Sequence, residues 1–81
     1  MPKRQTIGQK NRVGETVVRL RKQAGWKQTD LLAKLQTRGV DINQSSLSDL
    51  EGQKREVRGR ELKALAEIFG VTMEELYAPE E

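Results

Sequence analysis

Apolar residues recur at helical spacing near the start of the chain. They fall at i, i+4, i+7 and i+11, the pattern of one face of an amphipathic helix: Val13, Val17, Leu20 and Ala24. This spacing predicts a first helix over residues 12–24. Asn11 precedes it as a candidate N-cap, and Gly25 follows where a C-terminal cap belongs.

Two further apolar stripes follow at short intervals. The second stripe consists of three leucines: Leu31, Leu32 and Leu35. It predicts a helix that begins near Gln28 and ends near Arg38, before Gly39. A third helix is predicted after Asn43, a good N-cap residue, and should end near Gly52. Its inward residues are Leu47 and Leu50.

The last third of the chain shows one longer and one shorter helical pattern. The longer stripe predicts a fourth helix, which Gly70 ends: Leu62, Leu65, Ala66 and Phe69. Thr72 and Glu75 form a T-x-x-E capping box for a short fifth helix, which Pro79 closes. With no strand pattern in sight, the fold class predicted is all-α, a compact five-helix bundle.

Length and composition narrow the possible functions. A chain of 81 residues encloses one modest core, so we expect a single domain, which spans residues 11–78. We expect residues 1–10 to form a flexible basic arm before it and residues 79–81 an acidic tail after it. The absence of cysteine and histidine removes disulfides, Cys/His metal sites and the usual nucleophile and acid-base pairs. We therefore predict no enzyme and no cofactor. No stretch approaches the roughly 18 apolar residues of a membrane span, which favours a cytoplasmic protein.

The net charge of +3 conceals a gradient along the chain. Residues 1–27 contain eight basic residues and one acidic residue, for +7, and residues 28–60 contain six basic and five acidic residues, for +1. Residues 61–81 contain one basic residue and six acidic residues, for −5. A polyanion would be attracted to the first part and repelled by the last, although charge runs are usually solvated surface.

The third predicted helix has an unusually slim polar face. Opposite its leucines lie short side chains, with Gln44 at the edge: Ser45, Ser48, Asp49 and Gly52. Such a face can enter a DNA major groove, where glutamine bonds adenine and serine approaches most base edges. Taken alone, the stretch is better explained by local capping than by DNA binding, because serine and asparagine favour helix starts.

The order of these elements resembles the Cro and lambda-repressor type of helix-turn-helix domain, the xenobiotic-response-element family of bacterial and phage regulators. The resemblance runs from about Val13 to Tyr77 and rests on VGETVVRLRKQAGWKQ, SSLSDLE and RELKALAEIFGVTMEEL. It implies five helices, with the second and third as the DNA-binding pair. The long stretch QTRGVDIN between them, with Arg55 and Val57 downstream, resembles a subgroup with an extended turn.

The resemblance also implies residue roles. Gln28 matches a glutamine that contacts a DNA phosphate, and Gln44 matches a position that reads a base. Arg21 and Glu51 match an arginine and a glutamate that pair between the first helix and the recognition helix. The remaining residues of the predicted DNA-binding face are Thr29, Asn43, Ser45, Ser46, Ser48 and Asp49.

Several side chains on or near that face have two possible roles. Basic residues follow the recognition helix where flanking phosphates would lie, although any surface carries unused cations: Lys54, Arg55, Arg58 and Arg60. Asp49 either accepts from cytosine N4 or neutralises a neighbouring arginine, and the second reading is preferred. Trp26 is predicted to be core, and Met73 and Tyr77 are predicted to be core or dimer contacts.

The leading hypothesis is a sequence-specific double-stranded DNA-binding transcriptional regulator. Such proteins bind as homodimers to palindromic operators with half-sites about 34 Å apart. The alternative is a protein-interaction module, such as an antitoxin whose acidic end engages a basic protein partner. RNA binding is disfavoured, because the slim helix suits a DNA major groove better than the narrow groove of RNA.

Overall fold

The computed structural model describes residues 12–77, which form five α-helices. They are α1 (Val13–Gln23), α2 (Gln28–Thr37), α3 (Gln44–Glu51), α4 (Gly59–Phe69) and α5 (Met73–Tyr77). No strand occurs within this range, so the predicted all-α five-helix bundle is confirmed. The N-terminal arm, the acidic tail, Asn11 and Pro79 lie outside the described residues.

The predicted apolar stripes meet in one core. Its fully buried aliphatic side chains come from every helix: Val13, Val17, Leu31, Leu35, Leu47, Leu50, Leu65 and Leu76. Each such side chain stabilises the fold by roughly 1.5 to 3 kcal/mol. α3 packs against α1 and α2, whereas α4 packs against α2 and α5. Leu20, Leu62 and Phe69 from the outer parts of the stripes are partly buried at the edge of this core, whereas Ala24, predicted to belong to the first stripe, is exposed.

The connection between α2 and α3 is long but anchored. Residues 38–43 join the two helices, and Val40 and Ile42 within them are each only 5% exposed. Gln36 Nε2 donates to the carbonyl of Ile42 at 2.9 Å. Leu32 is partly buried against the same core. The turn is therefore fixed by its own apolar side chains and by the bond from Gln36.

Helix ends differ in the residue that reverses the chain. α1 and α2 end at glycines in the left-handed region, Gly25 with φ 78° and Gly39 with φ 84°. α3 ends at Gly52 with an ordinary φ of −83°, and the left-handed position falls on Gln53 with φ 62°. An L side chain in this region is strained by about 1 to 2 kcal/mol. The end of α3 is therefore strained where the ends of α1 and α2 are not.

The sequence predicted Trp26 to be core, and Met73 and Tyr77 to be core or dimer contacts, and the structure places these side chains differently. Trp26 is half-buried and stacks on Phe69, with ring centroids 5.4 Å apart, while Lys34 Nζ lies 4.5 Å from its ring centre. It covers the edge of the core and does not lie in its middle. Met73 and Tyr77 are 46% and 47% exposed, so the prediction that they are core is wrong. A dimer contact stays a prediction.

Candidate nucleic-acid interface

α3 presents one buried face and one polar face. Asn43 caps the helix as predicted, because its side-chain oxygen accepts a hydrogen bond from the backbone N–H of Ser46 at 2.8 Å. Leu47 and Leu50 are fully buried. The short polar side chains on the other side are exposed: Gln44, Ser45 and Ser48. The helix is thus anchored to the core by its leucines and exposes a slim polar surface to solvent.

The C-terminal end of α3 is tied to α1 by an ion pair. Arg21 Nε donates to Glu51 Oε2 at 2.9 Å, and Arg21 Nη2 donates to Glu51 Oε1 at 3.1 Å. The two side chains are 13% and 6% exposed. Arg21 Nη1 also donates to the carbonyl of Trp26 at 3.0 Å, which anchors the guanidinium to the α1–α2 turn. This is the pair implied by the family resemblance, and its planar geometry suits two parallel bonds.

The two glutamines of the predicted interface are linked to that pair. Gln28 Nε2 donates to Glu51 Oε1 at 3.1 Å, and Gln44 Nε2 donates to Gln28 Oε1 at 3.3 Å. Gln28 is the first residue of α2 and Gln44 the first residue of α3. A hydrogen-bonded series therefore runs from the Arg21–Glu51 pair to the exposed start of the recognition helix.

The other side chains predicted to contact DNA around α3 divide into exposed and internal ones. Thr29 in the first turn of α2 is exposed, and so are Lys54, Arg58 and Arg60 after α3. Arg55 differs, because its guanidinium hydrogen bonds to Glu61 Oε1 and Oε2, each at 2.9 Å, and its side chain is 20% exposed. The structure thus gives Arg55 an internal partner, and its contact with a DNA phosphate stays a prediction.

Asp49 is half-buried on the polar face of α3. The ion pairs found within residues 12–77 are Arg21–Glu51, Arg38–Glu67 and Arg55–Glu61, and none includes Asp49. The neutralising arginine preferred in the sequence analysis is therefore not found in that part of the chain. The carboxylate remains available on the surface where a hydrogen-bond donor could approach it.

Glu61 is the buried charge that the sequence analysis missed. It lies in the first turn of α4, is 2% exposed, and accepts the backbone N–H of Arg58 at 3.0 Å as well as the Arg55 bonds. Burial alone would raise the pKa of Glu61, but the hydrogen bonds and charges of Arg55 and Arg58 outweigh it and lower the pKa. One signal was present: Glu61 lies four residues before Leu65, on the buried stripe, and three residues after the N-cap of α4.

The comparison with known families settles the nature of this arrangement. The sequence model of a family described as helix-turn-helix matches residues 17–76, most of the chain. The chain belongs to this helix-turn-helix family. The family is of the Cro and lambda-repressor type and comprises DNA-binding regulatory domains, not enzymes. No curated protein and no solved structure gave a match.

Membership makes this helix-turn-helix protein a DNA-binding domain. Among residues 12–77 no helix is long and apolar enough to cross a membrane. Within the same part of the chain, no three carboxylate, thiol or imidazole groups are placed to hold a metal ion. The polar face of α3, the glutamine series and the exposed cations are the features of the described residues that could contact DNA.

Proposed function

We propose that the protein is a transcriptional regulator that recognises specific double-stranded DNA by inserting α3 into the major groove. The observation that carries this proposal is the position of Gln44. It begins α3, is exposed, and is held by Gln28 at 3.3 Å. A glutamine so oriented can make two hydrogen bonds to adenine N6 and N7, the contact that distinguishes adenine in this groove.

The neighbouring side chains support deep insertion of the helix. Ser45 and Ser48 are exposed and short, so the helix axis can approach the base edges closely. In the proposed complex Gln44 reads one base pair, and the two serine hydroxyls hydrogen bond to adjacent base edges directly or through water. Asp49 at the rim accepts from a cytosine amino group, since no arginine within residues 12–77 pairs with it.

Electrostatic contacts fix the register of the complex. Lys54, Arg58 and Arg60 are exposed just after α3, and Thr29 is exposed in the first turn of α2. Thr29 precedes α3 in the chain and the three cations follow it, and we assign both groups to DNA phosphates on either side of the groove that α3 enters. Phosphate binding supplies affinity for all DNA, and α3 supplies the choice of sequence.

Recognition of a palindromic operator would use two copies of the chain. Met73 and Tyr77 lie four residues apart on one side of α5, and each is nearly half exposed. α5 packs against α1 and α4, so its outer side is turned away from the core. We assign this apolar pair to the contact between two protomers on DNA, with half-sites about 34 Å apart.

Selection of bound sequences from a random duplex pool tests the proposal. One preferred site should emerge, and Gln44→Ala should weaken binding to it by roughly 1 to 3 kcal/mol while relaxing preference at one base pair. Affinity for random DNA should change little. Equal losses on selected and random DNA would show that Gln44 does not read a base.

Two matched variants complete that experiment. Glu74→Ala removes an exposed side chain from α5, which does not pack extensively against α3, and should leave base preference unaltered. Arg58→Ala should reduce the slope of log affinity against log salt by about one unit, as expected for one lost phosphate contact. A pool that yields no preferred sequence would refute the proposed function.

A further inference from the structure

The first turns of α3 and α4 are connected mainly through side chains. α3 packs against α1 and α2, and α4 packs against α2 and α5. No comparably extensive packing joins α3 to α4 within residues 12–77. The chain between them, residues 52–58, is irregular and passes through the strained Gln53. α2 packs against both helices, and the direct connection between the start of α3 and the start of α4 is made by side-chain hydrogen bonds.

Arg55 makes that connection from the middle of the segment. Its Nε donates to the carbonyl of Ser46 at 3.1 Å, and its Nη1 donates to the carbonyl of Glu56 at 2.9 Å. The two terminal nitrogens also bond both carboxylate oxygens of Glu61, each at 2.9 Å. One planar guanidinium thus contacts the first turn of α3, its own segment and the first turn of α4.

The partners of Arg55 are themselves fixed. Glu61 is 2% exposed and accepts the backbone N–H of Arg58, so its carboxylate cannot swing into water without leaving buried donors behind. The Ser46 carbonyl belongs to a helical turn, and a carbonyl oxygen has a second lone pair for a bond from outside the helix. A planar guanidinium bonded to both acceptors fixes the distance between the Ser46 carbonyl and the Glu61 carboxylate, which a flexible ammonium would not do.

We propose that Arg55 is a positioning residue for DNA recognition: anchored by Glu61, it holds the Ser46 carbonyl and so sets where the base-contacting start of α3 lies. Ser46 is two residues from Gln44, so a shift of its turn displaces the base-contacting amide directly. Arg55 acts in sequence choice without touching DNA. The effect on recognition rests on the proposed function, whereas the connection between the helices can be tested separately.

Two substitutions separate positioning from a phosphate contact, because both leave a cation at position 55. Arg55→Lys retains the charge but loses the planar pair of bonds to Glu61. Glu61→Gln retains Arg55 itself but removes the carboxylate that anchors it. A phosphate contact would survive the first change and would be strengthened by the second, which removes a nearby negative charge. A positioning residue fails in both.

Affinities are measured for the selected duplex and a scrambled duplex, at a temperature where circular dichroism shows every variant folded. Arg55→Lys and Glu61→Gln should each weaken binding to the selected duplex about tenfold, an effect comparable to one lost base contact. Binding to the scrambled duplex and the salt slope should stay at wild-type values. Arg58→Ala serves as the phosphate reference and should lower the slope by about one unit.

Wild-type affinity in Arg55→Lys, or tighter binding of both duplexes by Glu61→Gln, would overturn the proposal in favour of a phosphate contact.

Amide hydrogen exchange provides a second readout that needs no DNA. In both variants the α3 amides should exchange about ten times faster relative to those of α1, because the start of α3 is released. Unchanged protection of α3 would show that Arg55 holds nothing, even if the wild-type protein selects a DNA sequence. Conversely, altered exchange in a protein that selects no sequence would refute the proposed function and the role in recognition but retain the connection between the helices.

Discussion

The two ends of α3 are held by different kinds of ion pair. At its C-terminal end, Glu51 of the helix itself bonds Arg21 of α1, with N–O distances of 2.9 and 3.1 Å. At its N-terminal end, the helix contributes the Ser46 carbonyl, and both charges, Arg55 and Glu61, lie outside it. The first pair therefore joins a side chain of α3 to a side chain of α1. The second pair lies outside α3 and bonds the backbone of that helix.

The difference bears on what a substitution can do. Loss of either member of the first pair leaves a charge nearly buried between α1 and α3, where both helices contribute to the core. Loss of Arg55 leaves Glu61 buried in α4 while α3 keeps its packing against α1 and α2. We expect both pairs to contribute to stability, because either loss leaves a buried carboxylate without its partner, and we expect the second pair also to set the position of α3.

The largest effect should come from Arg21→Ala, which removes one partner of a largely buried pair. We expect a loss of about 3 to 5 kcal/mol in the free energy of unfolding, because Glu51 would be left without its charge partner. Denaturant unfolding of Arg21→Ala, Glu51→Ala and the double variant measures the coupling. Additive losses would show that the two residues do not stabilise each other.

Acid should act on the second pair with a smaller effect. Because the pKa of Glu61 is lowered in the folded protein, its ionisation contributes stability at any pH above its unfolded-state pKa, and this contribution is lost as pH falls through the folded value. Thermal melts should show wild type more stable than Glu61→Gln near neutral pH, with a gap that narrows below about pH 4. A gap independent of pH would exclude this ionisation as its source.

The strained end of α3 allows a gain in stability. Gln53→Gly should raise the free energy of unfolding by roughly 0.5 to 1 kcal/mol, because relief of the left-handed backbone exceeds the added flexibility of glycine. Gly25→Ala is the matched opposite, since its φ of 78° is unfavourable for alanine although no atom lies within 4 Å of the new methyl group. It should lower stability by about 1 to 2 kcal/mol. Chemical denaturation of both variants checks the signs, and a loss in Gln53→Gly would mean that its side-chain contacts outweigh the strain.

The smallest effect is expected for the exposed pair Arg38–Glu67, which provides a baseline for the two pairs around α3. Its side chains are 43% and 50% exposed and its N–O distance is 3.2 Å. Solvent screens such a pair, so a double-mutant cycle with Arg38→Ala and Glu67→Ala should give a coupling of about 0.2 to 1 kcal/mol that weakens with salt. A coupling as large as that of Arg21 with Glu51 would contradict the importance given to burial.

Most of the fold follows from local patterns. The apolar stripes predicted four helices in order and the Thr72–Glu75 box predicted the fifth, while Asn43 marked the start of the third, and the structure has these elements there. These features depend on residues within one or two turns of each other, which is why they can be read along the chain. The Arg21–Glu51 pair was identified only through the family resemblance, since 30 residues separate its members.

The sequence by itself determined the helices, their buried faces and the polar face of α3, because helical periodicity and capping are local. Only the tertiary structure decided which charges face solvent. Arg55 and Arg58 are alike along the chain, yet Arg55 points inward to Glu61 while Arg58 is exposed. That choice depends on where α4 brings its first turn relative to α3, and the free energy of pairing a buried carboxylate arises only once the helices are packed.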